Sequence, residues 1–281
     1  MSLWQHVIDR AGRVPYRGSH AMDLSKFIEL EPQLRKIGGV TVMTLVPPDR
    51  SPDPEEPMEH VVFLHGGSYV MEAAFIHRSM ARFLVRHGFR VSFVDYPLAP
   101  EHQASETVPA TTAAYEALTT IFHRDTWCLL GDSAGGGLAL ALAQRLRDEK
   151  FAPRPARIAL ASPWADVSLA NPALEGRTDL LITRDSLLLN GRRYAGDLPL
   201  DDPLVSPING NLSDLGEFFV AYSEGEMIAP DCARLIDGLL QAGNRCVVYR
   251  TPGPLHDFML APGLPPARAA RSALIEFLRD R

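Results

Sequence analysis

The sequence predicts an α/β protein built on a mostly parallel sheet, and three observations carry that expectation. Short β-rich runs alternate with helix-period segments along most of the chain. The interior runs are almost continuously apolar, as in Val61-Val-Phe-Leu64 and Ile158-Ala-Leu-Ala161, which marks strands covered on both faces. No internal repeat, low-complexity tract or charge block interrupts the alternation, and strand–helix–strand succession implies right-handed crossovers with helices on both faces.

Taken in order, the expected strands are Val40–Val46, His60–Leu64, Arg90–Asp95, Trp127–Leu130, Arg157–Ala161, Glu217–Tyr222 and Arg245–Arg250. The expected helices are Ala73–His87, Thr111–Phe122, Ala134–Arg147, Asp231–Ala242 and Pro266–Leu278. The first ends at Gly88 and the fourth at Gly243, where glycine supplies the left-handed residue that closes a helix. Two stretches break the pattern. Residues 1–38 carry Leu24, Phe27, Ile28 and Leu34 at helical spacing and read as an N-terminal cap segment. Residues 165–214 separate two strands and are broken by prolines at 172, 199, 203 and 207. Strand–helix connections normally take only about 2–6 residues, so the second stretch reads as a small helical cap inserted over the sheet's C-terminal edge. The expected core is therefore 39–164 with 215–281, and Pro47–Pro57 is a surface loop.

Composition bounds the function. The 281 residues are 46% hydrophobic and 22% charged, ordinary for a globular chain long enough to need no disulfide or metal staple. Lys+Arg 28 against Asp+Glu 34 leaves a net charge of −6, which argues against nucleic acid as a partner. Cys128, Cys232 and Cys246 are too scattered for a disulfide framework or a metal knuckle. No basic, apolar leader opens the chain and no run spans a bilayer, so a cytoplasmic location is expected. No motif signals a partner subunit, although a homodimer is compatible with the sequence.

The chemistry concentrates in Gly131-Asp-Ser133-Ala-Gly135, a G-x-S-x-G with an apolar strand running in and an Ala/Leu-rich helix running out. A serine on such a sharp turn needs glycines two positions away, or strand and helix collide. The turn lifts the Ser133 hydroxyl at a helix N-terminus, where partial positive charge favours a developing anion. His65-Gly66-Gly67-Ser68 follows another strand, and its glycines let backbone N–H groups approach a substrate carbonyl. No G-x-G-x-x-G, phosphate-binding loop or zinc signature occurs, so neither cofactor nor metal is expected.

These motifs, with Asp95-Tyr-Pro-Leu-Ala-Pro-Glu-His102 and Ser162-Pro-Trp-Ala-Asp166, resemble the hormone-sensitive-lipase-like branch of the α/β-hydrolase fold over about residues 60–281. The resemblance implies Ser133 as nucleophile, an oxyanion hole from the N–H groups of Gly66, Gly67 and Ala134, and a supporting role for Asp132. Ser68 stands where the family has a third glycine, and Asp95-Tyr96-Pro97 departs from its usual Tyr-Arg. A serine needs a base, and the base needs an acid behind it. His256 lies in the loop between the last strand and the last helix, where this fold presents its base. Of the other histidines, His65 and His102 belong to motifs; His6, His20, His60, His77, His87 and His123 read as surface residues. The family's D-x-L-x-x-D register falls on Glu226-Met-Ile-Ala-Pro-Asp231, making Glu226 the expected acid. Glu224 competes for that role, and Asp231 reads as a helix cap. The order Ser133, Glu226, His256 is that of the fold. The expected activity is ester hydrolysis on a small-molecule substrate of short to medium acyl chain through an acyl-enzyme. An amidase with the same triad and a non-catalytic binding protein of the same fold are the alternatives.

Overall fold

The computed structural model describes residues 32–279 and has the expected α/β architecture. Its sheet contains β1 (Gln33–Ile37), β2 (Val40–Leu45), β3 (Glu59–Leu64), β4 (Arg90–Asp95), β5 (Thr126–Asp132), β6 (Arg157–Ala161), β7 (Glu217–Ser223) and β8 (Arg245–Thr251). The spatial order is β1-β2-β4-β3-β5-β6-β7-β8. β2 runs antiparallel to β1 and to β4, and every other pairing is parallel.

Alternation along the strands feeds two apolar layers. Val62 and Leu64 of β3 face α2 (Ala104–Ile121), α3 (Ala134–Asp148) and α5 (Ala229–Gln241), while Val61 and Phe63 face α1 (Phe75–Arg86) and α6 (Pro265–Arg279). The remaining helix, α4 (Arg184–Ala195), lies within the 165–214 excursion and packs Leu187, Tyr194 and Ala195 into the first layer.

Three boundaries differ from expectation. Gln33–Ile37 is an edge strand rather than helix, because a Gly38-Gly39 turn with both residues at positive φ folds it back on β2. The rest of the expected N-terminal cap segment lies outside the described residues. α2 begins at Ala104, seven residues before the expected Thr111, and carries Pro109 as its sixth residue. Thr107 Oγ1, in the first turn, donates to Pro97 O (2.8 Å) and ties the helix start to the segment after β4. α5 begins at Ala229 with Pro230 in its first turn, so Asp231 sits inside the helix, not at its cap.

Candidate active site

Ser133 occupies the turn between β5 and α3 with φ 49° and ψ −118°. The flanking glycines are required sterically. A Cβ on Gly131 would collide with Gly135 O, and one on Gly135 with Leu64 O. The strained serine is pinned by its own backbone: its N–H donates to Ala161 O (2.9 Å) and its carbonyl accepts from Trp164 N–H (2.9 Å).

The Gly66-Gly67 turn abuts this elbow. A Cβ added to Gly66 would stand 3.1 Å from Ser133 Cβ and overlap the Asp132 carboxylate. Gly67 adopts φ 127°, where a side chain would be strained. His65 Nδ1 lies 2.7 Å from Gly66 O, and drawing that carbonyl toward His65 turns the N–H of the same trans peptide, that of Gly67, the opposite way. Tyr96 stacks on the His65 ring with centroids 4.5 Å apart and donates its hydroxyl to His65 O. That contact gives the Asp95-Tyr96-Pro97 departure a packing role.

His256 lies in the loop after β8, buried, with Nε2 2.9 Å from Ser133 Oγ. Glu226, fully buried in the turn after β7, places Oε2 3.4 Å from His256 Nδ1. This is a long contact, of the kind that tightens when a substrate binds. The same Oε2 accepts from Ser162 Oγ at 2.8 Å, and Ser162 Oγ accepts from Asp257 N–H at 3.1 Å. One hydroxyl thus ties the acid turn to the histidine loop. Glu224, the competing acid, is exposed, while Asp231 turns away to accept from Asn171 Nδ2 (2.8 Å).

Three carboxylates lie close to the imidazole. Asp257 Oδ2 lies 3.3 Å from Nε2. An oxygen of Asp179, an oxygen of Glu226 and a His256 ring nitrogen lie within 4.8 Å of one another. Burial alone disfavours the imidazolium, but Asp257, Glu226 and Asp179 outweigh it and push the His256 pKa up to about 10. Burial, opposed by His256 and reinforced by Asp132, Glu226 and Asp179, raises Asp257 well above the usual carboxylate range. Asp179, Glu226 and His256 are the one grouping of metal-type ligands among the described residues. The two carboxylates already accept from protein donors: Glu226 from Ser162, Asp179 from the N–H groups of Met227 and Leu181. We assign them no metal.

The geometry therefore gathers Ser133, His256, Glu226 and the Gly66-Gly67 turn at the C-terminal edge of the sheet, with Ala134 opening α3. Sequence reasoning missed Ser162, Asp179 and Asp257. Ser162 sat inside a recognised motif without a role; Asp179 lies in the excursion, where no periodicity speaks. Two histidines also differ from expectation. His60 and His77 are buried, not on the surface. Ala74 N–H donates to His77 Nδ1 (2.8 Å), so Nε2 carries the hydrogen that reaches Asp132 Oδ2 at 3.0 Å.

Comparison with known proteins agrees with this architecture. Residues 61–260 match the family described as alpha/beta hydrolase fold. An acetyl-hydrolase of Streptomyces hygroscopicus is 32% identical over 230 residues, covering 78% of this chain and 75% of that protein. An esterase of Acinetobacter venetianus is 30% identical over 224 residues, covering 77% and 73%. A crystal structure of an esterase from the bacterial hormone-sensitive lipase family superposes with a TM-score of 0.82 at 27% identity, covering 98% of this chain and 97% of that one. The chain belongs to the α/β-hydrolase fold family, in its hormone-sensitive-lipase-like branch. Within that branch it is a carboxylic ester hydrolase. No helix among the described residues is long and apolar enough to cross a membrane.

Proposed function

We propose that this enzyme cleaves carboxylic esters of short to medium acyl chain through an acyl-enzyme on Ser133. The observation that carries the reading is the 2.9 Å contact between Ser133 Oγ and His256 Nε2 on a turn that holds the serine at positive φ. Ser133 Oγ attacks the ester carbonyl carbon while His256 Nε2 takes its proton. The N–H groups of Gly66, Gly67 and Ala134 receive the oxyanion. Collapse of the tetrahedral intermediate breaks the bond to the alkoxide, which leaves with the proton from His256. Water, deprotonated by the same nitrogen, then releases the carboxylic acid and restores Ser133. Glu226 keeps Nδ1 protonated and faces the positive charge.

The acyl range is supported by the acetyl-hydrolase relative and by the large aromatic groups behind the elbow. Tyr69 and Tyr194 stack face to face with centroids 3.6 Å apart, joining the segment after the Gly66-Gly67 turn to α4. In this reading the 165–214 excursion serves as the cap. Ser133→Ala should lower kcat on an acetyl or butyryl ester by at least about 10⁴-fold with Tm retained. Hydrolysis near the native rate in that variant would overturn the assignment. Matched ester and anilide substrates, with fluorophosphonate labelling of Ser133, separate an esterase from an amidase and from an inert binding protein.

A further inference from the structure

Asp179 has features of a working carboxylate. It is only part-exposed, and each oxygen accepts one backbone N–H: Oδ2 from Met227 at 3.1 Å, Oδ1 from Leu181 at 2.9 Å. Among the described residues it has no arginine or lysine within ion-pair distance, although Arg177 is two positions away. The Arg177 guanidinium is instead spent on backbone carbonyls, with Nη2 donating to Glu226 O at 3.0 Å and to Glu224 O, and Nε to Glu226 O at 3.2 Å. Arg177 and Asp179 thus grip the acid turn from both ends, one by its carbonyls and the other by the Met227 N–H. Glu226 divides its Oε2 between Ser162 Oγ and a long contact to His256 Nδ1. His256 Nδ1 is buried and makes no hydrogen bond among the described residues.

Resting on the triad reading above, we propose that Asp179 is a positioning residue of the reaction: a second carboxylate that shares with Glu226 the task of orienting and charge-balancing His256. When Ser133 passes its proton to Nε2, the imidazolium keeps its Nδ1 hydrogen, and no proton reaches either acid. Two carboxylates on different elements then stabilise one cation. Glu226 comes from the turn after β7 and Asp179 from the 165–214 excursion, so full base strength depends on that excursion being seated. The other charged group facing the imidazole is Asp257 on its own loop, with Arg177 beside the acid turn. Only Asp179 belongs to the excursion and lies near both His256 and Glu226.

The test is the pH profile of kcat/KM on a short acyl ester. Removing a carboxylate from beside the base lowers its pKa, so Asp179→Asn should move the ascending limb to lower pH by about one pH unit. Its kcat should fall about 10-fold with KM nearly unchanged, the split expected of an interaction made in the transition state. Asp179→Glu, which keeps the charge, should restore the limb toward its native position. In a double-mutant cycle, Asp179→Asn should cost about 10-fold more in kcat on top of Glu226→Gln. The proposal is overturned if the Asp179→Asn limb superimposes on the native one. It is overturned equally if Asp179→Glu shifts the limb as far as asparagine does, or if the double variant matches Glu226→Gln alone. Tm of each variant separates loss of fold from loss of tuning. Fluorophosphonate labelling of native Ser133 keeps the two readings apart: an unlabelled native protein sinks the triad, while a labelled one with an unmoved limb sinks only the role of Asp179.

Discussion

Among the described residues two acid–histidine–serine arrangements stand out, and their surroundings differ sharply. At the C-terminal edge of the sheet stand Glu226, His256 and Ser133. Toward the opposite edge, Asp125 Oδ2 lies 2.9 Å from His60 Nδ1, and His60 Nε2 lies 2.8 Å from Ser92 Oγ. By distance alone the second is the better triad. It differs in three ways. His60 is fully buried between Trp127 (centroids 4.3 Å apart) and Phe122, and no glycine turn lifts Ser92 out of β4. The side-chain polar atoms of His60, Asp125 and Ser92 are all partnered: Asp125 also binds Arg90 and Met58 N–H, and Ser92 binds Thr44 Oγ1 (2.8 Å). Burial outweighs the attraction of Asp125 and lowers the His60 pKa to about 4, whereas carboxylates raise that of His256 to about 10. A satisfied network stabilises a fold. The arrangement at Ser133 keeps an unpartnered imidazole nitrogen, a strained serine and excess negative charge.

Substitution at the two histidines should separate these roles most strongly. His256→Ala is expected to lower kcat by at least about 10⁴-fold at nearly native Tm. His60→Ala should leave the kcat of the folded protein within a few-fold while lowering stability by about 3 kcal/mol, read by denaturant unfolding. A catalytic collapse at His60 with stability intact would erase the distinction. Next in size is Asp125→Ala, which strands Arg90 in the core and should cost about 3–5 kcal/mol, with ester turnover per folded molecule retained.

The two histidines also predict opposite pH responses of stability. His60 has a folded-state pKa below the ordinary 6.5, so its contribution is complete above pH 6.5 and is lost as pH falls toward 4. The shift corresponds to about 3 kcal/mol. His256 has a raised pKa, so its contribution is present below pH 6.5 and is lost as pH climbs through about 10. Unfolding titrations of the native protein against His60→Gln should show the acid sensitivity diminished in the variant; identical acid limbs would contradict the assignment. The smallest effect is that of Ser92→Ala, which should cost about 1 kcal/mol with kcat unchanged, against the abolished turnover of Ser133→Ala.

Much of the candidate site was legible because its chemistry is local. The turn around Ser133 needs glycine at 131 and 135 whatever surrounds it, and Gly66-Gly67 marks a backbone that must come close. His256 was legible from its place after the last strand, and Glu226 from a family register in which glutamate replaces the commoner aspartate. Ser162, Asp179 and Asp257 were not, because their roles depend on contacts between distant segments. Ser162 meets Glu226 across 64 positions, and Asp179 meets Met227 across 48. Nothing in the residues next to them announces either partner. The histidines at 60 and 77 were misread for the same reason, since polar neighbours in sequence do not reveal buried partners in space.

By itself the sequence determined the alternation of strands and helices, the two apolar layers and the elbow serine, since each follows from backbone geometry and short-range periodicity. Tertiary structure alone decided which of two histidine–serine pairs stands beside the glycine-rich turns, how many carboxylates surround it, and that the 165–214 excursion supplies one of them. Those outcomes depend on how the sheet orders its strands and on electrostatic terms that act through space, across residues far apart along the chain.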